Sequence, residues 1–249
     1  MEKVQILGIN IAKVSFDEAV ENIAHYIEEK NPVQIVTANA EIVYAASREQ
    51  KLKEIVNNSV MVTADGIGVV HAAKIKGEPV PCKLAGVELT EKLVALSGEK
   101  NWGIYFLGGA PGVPEKAKEN LLQKYPDANI IGTRNGYFTQ EDEPEILQDI
   151  QLKKPDILFV ALGFPKQEQW IAKHKDNLKV PVSIGVGGSL DIFSGNKKRA
   201  PILVQKLGIE FLYRFLQEPS RFKRYLALPK FIFAFFLQDV FKFPLKRVN

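Results

Sequence analysis

Asp156-Ile-Leu-Phe-Val-Ala-Leu162 runs into Gly163-Phe-Pro-Lys-Gln-Glu-Gln169, and Val182-Ser-Ile-Gly-Val186 runs into Gly187-Gly-Ser-Leu-Asp-Ile-Phe-Ser-Gly-Asn196. Two short apolar runs, each emptying into a small polar loop, read as strands buried on both faces of a parallel sheet. In open α/β sheets the carboxyl ends of such strands are where ligands sit. Working outward, further strand candidates fall at Val33 to Thr37, Val60 to Ala64, Gly103 to Leu107 and Ile130 to Thr133, with helical stretches between nearly all of them. This alternation predicts an α/β fold with a mainly parallel, Rossmann-like sheet flanked by helices. Strand order is not contained in it.

Local signals refine the pattern. Val4 to Val14 reads as a strand or hairpin, and Ser15-Phe-Asp-Glu18 is a capping box that starts a helix. Another helix begins near Val113-Pro-Glu115, with proline tolerated in the first turn, and ends before Pro126. Beyond Gly195 the texture becomes basic and aromatic, punctuated by Pro201, Pro219, Pro229 and Pro244. Because proline breaks helix interiors, three short helices are expected, near 201–217, 220–228 and 230–243. The chain thus divides into an α/β body over 1–195 and a helical appendage over 196–249.

At 249 residues and 46% hydrophobic, the chain can bury a full core. One cysteine, Cys82, excludes an internal disulfide framework. His25, His71 and His174 lack metal-ligand spacing and read as ordinary imidazoles, so no metal and no cofactor are expected. Met1-Glu-Lys-Val-Gln-Ile6 lacks the build of a signal peptide, which predicts a cytosolic location. The net charge of +4 is unevenly spread: Lys197 to Asn249 carries +9 and the remainder −5. Eleven of the 24 aromatic residues lie between Phe211 and Phe243.

Phe231-Ile-Phe-Ala-Phe-Phe-Leu237 is apolar but far short of the roughly 20 residues a helix needs to cross a bilayer. On a helical wheel Ile232, Phe233, Phe236, Leu237, Val240 and Phe243 share one side, while Phe231 and Phe235 break the division. With its basic flanks this predicts an interfacial helix on an anionic membrane surface. The alternative is that the stripe packs on the body or against another subunit, and a homo-oligomer that shields it in solution and opens at the membrane would reconcile the two. Nucleic acid is discounted, because the rings cluster in aliphatic company instead of interleaving with a phosphate-tracking groove.

Thr37-Ala-Asn39, Asp65-Gly66, Gly108-Gly109, Gly163 to Gln167 and Gly187-Gly188 all lie just past expected strands, so a parallel sheet brings them to one edge. Asp65 follows Val60-Met-Val-Thr-Ala64 directly and could be a helix N-cap or a catalytic carboxylate. Ala161-Leu-Gly-Phe-Pro-Lys-Gln-Glu168 and Gly185-Val-Gly-Gly-Ser-Leu-Asp-Ile-Phe-Ser-Gly195, taken with those strings and with Gly208-Ile-Glu-Phe-Leu-Tyr-Arg-Phe215, closely resemble the WecG/TagA/CpsF family of bacterial glycosyltransferases.

That resemblance implies a hexosyltransferase in which Asp65 is the general base, a role worth about two to four powers of ten in rate. Thr37 and Gln167 would orient sugar and acceptor. Arg214, Arg221 and Arg224 would neutralise the leaving diphosphate through bidentate guanidinium contacts, though a basic helix is also commonly a solvated face. No Asp-x-Asp string is present, which predicts metal independence. Tyr137 and Asp191 are candidates to hold uridine, with core packing an equal explanation of the tyrosine. Asn39, Gly66, Gly108, Gly109, Gly163, Lys166, Gly187 and Gly188 complete the expected binding residues.

The implied reaction moves N-acetylmannosamine from its UDP donor to N-acetylglucosamine-diphospho-undecaprenol, with inversion to a β-1,4 linkage, in wall teichoic acid synthesis. The implied setting is peripheral, on the inner face of the cell membrane. A uronate or neutral hexose donor stays open; a uronate would want a further cation such as Lys166 or Lys83. A nicotinamide-dependent oxidoreductase is the rival from another class, but no Gly-x-Gly-x-x-Gly string opens a helix. A peripheral membrane adaptor is the non-enzymatic alternative.

Overall fold

The computed structural model describes residues 1–201, 204, 210, 213 and 226–242. A hairpin of β1 (Lys3–Ile6) and β2 (Ile9–Ala12) precedes α1 (Phe16–Glu29). The turn between the strands places Leu7 at φ 50° and Gly8 at φ 79°. Ser15 caps α1 in a complete capping box with Glu18. There follow β3 (Val33–Ala38), α2 (Ala40–Arg48), α3 (Gln50–Asn57), β4 (Met61–Ala64), α4 (Ile67–Ile75) and α5 (Gly86–Lys100). Next come β5 (Ile104–Gly108), α6 (Val113–Lys124), β6 (Ile130–Arg134), α7 (Glu143–Lys153), β7 (Ile157–Ala161), α8 (Lys166–Leu178), β8 (Val182–Gly185) and the single turn α9 (Ser189–Phe193).

Strands β3 to β8 form one six-stranded sheet in the order β4-β3-β8-β7-β5-β6, parallel throughout. Successive side chains point to opposite faces, and both faces are covered. Ile104, Phe106, Ile157 and Phe159 join α1, α5 and α6 in one core, while Tyr105, Leu107, Leu158 and Val160 join α7 and α8 in another. This double burial is why the strands are near-continuous apolar runs. The expected elements through Gly195 are therefore present. β5 sends its connection outward to β6, whereas its neighbour β7 sends its own back to β8. Such a reversal opens a crevice at the carboxyl ends of the strands.

Part of the appendage folds onto this body. Ala227–Phe235 forms α10, continued by a π-helical turn over Phe236–Val240. This corrects the expected span of 230–243. Pro229 lies in the first turn of α10, where its missing N–H leaves no helical bond unmade. Phe231, Ala234 and Phe235 are buried in the core that holds Val36, Val62 and the hairpin. The two phenylalanines that break the amphipathic stripe are thus the ones that anchor the helix. Ile232, Phe233, Phe236, Val240 and Phe241 stay exposed, Phe233 at 66%. At the far end, Asp239 Oδ2 accepts the backbone N–H of Leu7 at 2.8 Å and lies 3.8 Å from Lys76 Nζ, joining the tail to the β1–β2 turn. No helix among the described residues is long and apolar enough to cross a membrane.

Candidate active site

A cleft of about 610 Å³ opens across the carboxyl ends of the strands. Thr37, Asn39, Asp65, Gly66, Gly109, Tyr137, Gly163, Gln167, Gly187, Gly188 and Asp191 all line it. Residues separated by up to 154 positions in the chain meet because each lies at or beyond the carboxyl end of a strand of the same sheet.

At the cleft floor, β3 and β4 pair in register with Thr37 opposite Thr63 and Ala38 opposite Ala64, so Asp65 emerges two residues beyond the partner of Thr37 on the adjoining strand. The backbone N–H of Asp65 donates to Ala38 O at 2.9 Å, which holds the residue against β3. Thr37 is buried, and its hydroxyl donates to Gly185 O on β8 at 3.0 Å, leaving the oxygen lone pairs as its free capacity. Asp65 is not a helix cap. Gly66, at φ 121°, holds the N-cap position of α4 with no side-chain bond, and Asp65 Oδ2 accepts the backbone N–H of Gly86 at 3.2 Å. Gly86 is the first residue of α5, so the carboxylate faces the positive end of a 15-residue helix. Gly86 also abuts Thr37, where an added Cβ would stand 3.0 Å from Oγ1.

Asn39 has a structural duty beside the cleft, its Oδ1 capping α2 by accepting Ile42 N–H at 3.0 Å. Gln167 is buried; its Oε1 accepts Gly187 N–H at 3.0 Å and its Nε2 donates to Glu168 Oε1 at 2.8 Å. Tyr137 is 76% exposed at the cleft rim, which removes core packing as its explanation. Asp191 lies 3.1 Å from Lys197.

Two expected site residues fall elsewhere. Lys166 is exposed on the first turn of α8 and does not line the cleft, because the helix turns the adjacent Gln167 inward instead. Gly108 is buried behind the cleft, packed so closely on β7 that a Cβ would stand 2.4 Å from Ala161 C. It serves strand packing, and Gly109 takes the cleft wall. Arg214, Arg221 and Arg224 lie outside the described residues. Lys83, Lys197, Lys198 and Arg199 bring positive charge to the described wall, with Lys83 3.9 Å from Glu210 and Arg199 paired to Glu88. Among the described residues no group of three His, Cys, Asp or Glu could hold a metal ion.

The model of the WecG/TagA/CpsF glycosyltransferase family matches residues 4–244. The chain belongs to that family. Among curated relatives, the N-acetylglucosaminyldiphosphoundecaprenol N-acetyl-beta-D-mannosaminyltransferases of Staphylococcus aureus strains MW2 and MRSA252 are each 38% identical over 233 residues, covering 93% of this chain and 91% of theirs. The family motifs now have positions: Thr37, Asn39, Asp65 and Gly66 form the β3–β4 side of the cleft, and Gly163, Phe164 and Gln167 with Gly187-Gly188 form the β7–β8 side. Gly86 and Glu168 carry weight that the sequence does not signal. Gly86 looks like any helix-start glycine, and its contacts to Asp65 and Thr37 are long-range. Glu168 reads as an exposed charge on a polar helix but has no solvent exposure.

Proposed function

We propose that this chain transfers N-acetylmannosamine from UDP-N-acetylmannosamine to N-acetylglucosamine-diphospho-undecaprenol, forming the β-1,4 linkage of the wall teichoic acid linkage unit. The observation that carries the reading is the near full-length relationship to transferases of that name. The cleft supplies matching chemistry. Asp65 takes the proton from the acceptor hydroxyl as that oxygen bonds to the anomeric carbon, and the bond from that carbon to the diphosphate breaks with its electron pair leaving on UDP. Attack from the face opposite the diphosphate inverts the configuration. Thr37 and Gln167 hold the reacting partners, Tyr137 and Asp191 sit where the uridine would bind, and the glycines at 66, 109, 163, 187 and 188 let backbone approach the ligand.

The same proposal assigns the body, 1–195, the donor cleft and gives the appendage, 196–249, two tasks. Its arginines Arg214, Arg221 and Arg224 neutralise the departing diphosphate, and α10 rests on the membrane that carries the acceptor. In support, Ala227 and Leu228 line the cleft, while Ile232 and Phe233 on the same helix and Phe236 in the π-helical turn are exposed. The apolar side is large and flanked by Lys230 and Lys242, as an interfacial helix on an anionic leaflet requires.

The test supplies the UDP-sugar and a short-chain lipid diphosphate acceptor, with and without chelator, to the wild type, Asp65→Asn and a truncation after Asn196. Expected are chelator-resistant turnover by the wild type, collapse in the substitution and near loss in the truncation. No transfer by the wild type sinks the reading, and full turnover by the truncation removes the appendage from it.

A further inference from the structure

Beneath the cleft floor, one residue beyond Gln167 in the first turn of α8, Glu168 has no exposure to solvent. Its Oε1 accepts from Gln167 Nε2 at 2.8 Å, while its Oε2 is buried without a hydrogen-bond partner. On the other side of the same carboxamide, Gln167 Oε1 accepts the N–H of Gly187 at 3.0 Å. A backbone N–H can only donate, so the carbonyl oxygen of Gln167 must face Gly187 and its NH₂ must face Glu168. The carboxamide is clamped at both ends, and Glu168 is the inner jaw.

The surroundings are built around this pair. A Cβ at Gly185 would stand 2.6 Å from Gln167 Nε2 and 3.0 Å from Glu168 Oε1, so any side chain on β8 here would push the pair out of place. Gln34 of β3, itself buried, donates to the backbone oxygen of Glu168 at 3.2 Å. A carboxyl group buried with one oxygen unpartnered is costly, and an apolar side chain of similar length would be cheaper. What the carboxyl supplies in return is a fixed acceptor for the Gln167 NH₂.

We propose that Glu168 is a positioning residue for glycosyl transfer: it fixes the Gln167 carboxamide, and through it the Gly187–Gly188 loop, in the orientation that meets the sugar nucleotide, an inference that rests on the function proposed above. Burial pushes its carboxyl up to about 7, against the hydrogen bonds from Gln167 and its own backbone, with Glu41 of α2 adding to the rise. In the neutral acid the carbonyl oxygen accepts from Gln167 and the hydroxyl occupies the unpartnered place. Glutamine reproduces that arrangement and methionine does not.

The experiment compares Glu168→Gln and Glu168→Met in the full chain, reading kcat, donor KM and hydrogen exchange at the Gly187 amide. In the methionine variant that amide is expected to exchange at least tenfold faster and kcat to fall at least tenfold, with donor KM within threefold. The glutamine variant is expected to rescue both to within threefold of wild type. Unchanged exchange or unchanged kcat in the methionine variant overturns the proposal. So does a glutamine variant as impaired as the methionine one, since charge rather than an acceptor would then be the requirement. If Glu168→Met does not fold, Glu168→Ala carries the same readouts without added bulk. A wild type that transfers no sugar defeats the proposed function, while the exchange comparison still decides the clamp.

Discussion

Gly86 gives its N–H to the Asp65 carboxylate at 3.2 Å while its bare Cα lies against the Thr37 hydroxyl. One glycine therefore sets the spacing of two neighbouring groups at the cleft floor. In Gly86→Ala the new methyl would sit 3.0 Å from Thr37 Oγ1 and 3.4 Å from its Cβ and Cγ2. Either Thr37 or the start of α5 must give way. Turnover is expected to fall about tenfold, about 1.4 kcal/mol in the barrier, with little change in melting temperature because alanine suits a helix better than glycine. Steady-state kinetics beside a thermal melt check this, and unchanged kcat/KM would show that the spacing is immaterial.

Asp65→Asn keeps the shape and the acceptor oxygen for Gly86 while removing the base. The expected loss is about 10²- to 10⁴-fold in kcat, with UDP affinity within a few-fold of wild type by calorimetry. A parallel loss of UDP binding would move Asp65 from proton transfer to donor binding.

The two faces of α10 are expected to separate cleanly. Phe235→Ala empties a buried site beside Phe231 and the hairpin and should cost about 3–5 kcal/mol in denaturant unfolding. Phe233→Ser, on the exposed side, should leave stability within about 0.5 kcal/mol but weaken sedimentation with anionic vesicles. Equal vesicle binding by wild type and Phe233→Ser would place the membrane contact elsewhere.

Glu168 predicts a pH signature in stability. Its carboxyl titrates near 7 in the folded chain against 4.5 as its ordinary value, so between those limits the folded state holds a proton that the unfolded state has released. Stability contributed by this group is fully present below 4.5 and is lost as pH rises through 7, by up to about 3 kcal/mol. The wild type measured relative to Glu168→Gln should therefore weaken between pH 5 and pH 8 in urea unfolding. Parallel profiles for the two proteins would mean that Glu168 titrates normally.

The sheet was legible because burial on both faces turns its strands into apolar runs such as Ile157 to Ala161, each closed by glycine or polar residues. The cleft was legible for a related reason: a parallel sheet sends every strand exit to one edge, so Thr37, Asp65, Gln167 and Gly187 had to converge. Side-chain direction was harder. Lys166 and Gln167 are adjacent and both polar, and only the packing of α8 decides that one meets solvent and the other the cleft. The same holds for Phe231 and Phe233, since a helix rich in aromatics on several sides does not announce which of them its own body will claim. Gly86 was invisible because its partners lie 21 and 49 positions away.

The placement of α10 has a consequence for reach. Leu228 forms cleft wall and packs on Gly68, while Phe233 points outward only five residues later. If α10 rests on a membrane as proposed, the separation between cleft and lipid is about one helix thickness, roughly 10 Å. On the proposed reading, a diphosphate riding at headgroup height can enter the chamber with its hydrocarbon still submerged, so chain length beyond the first isoprene units should matter little to turnover.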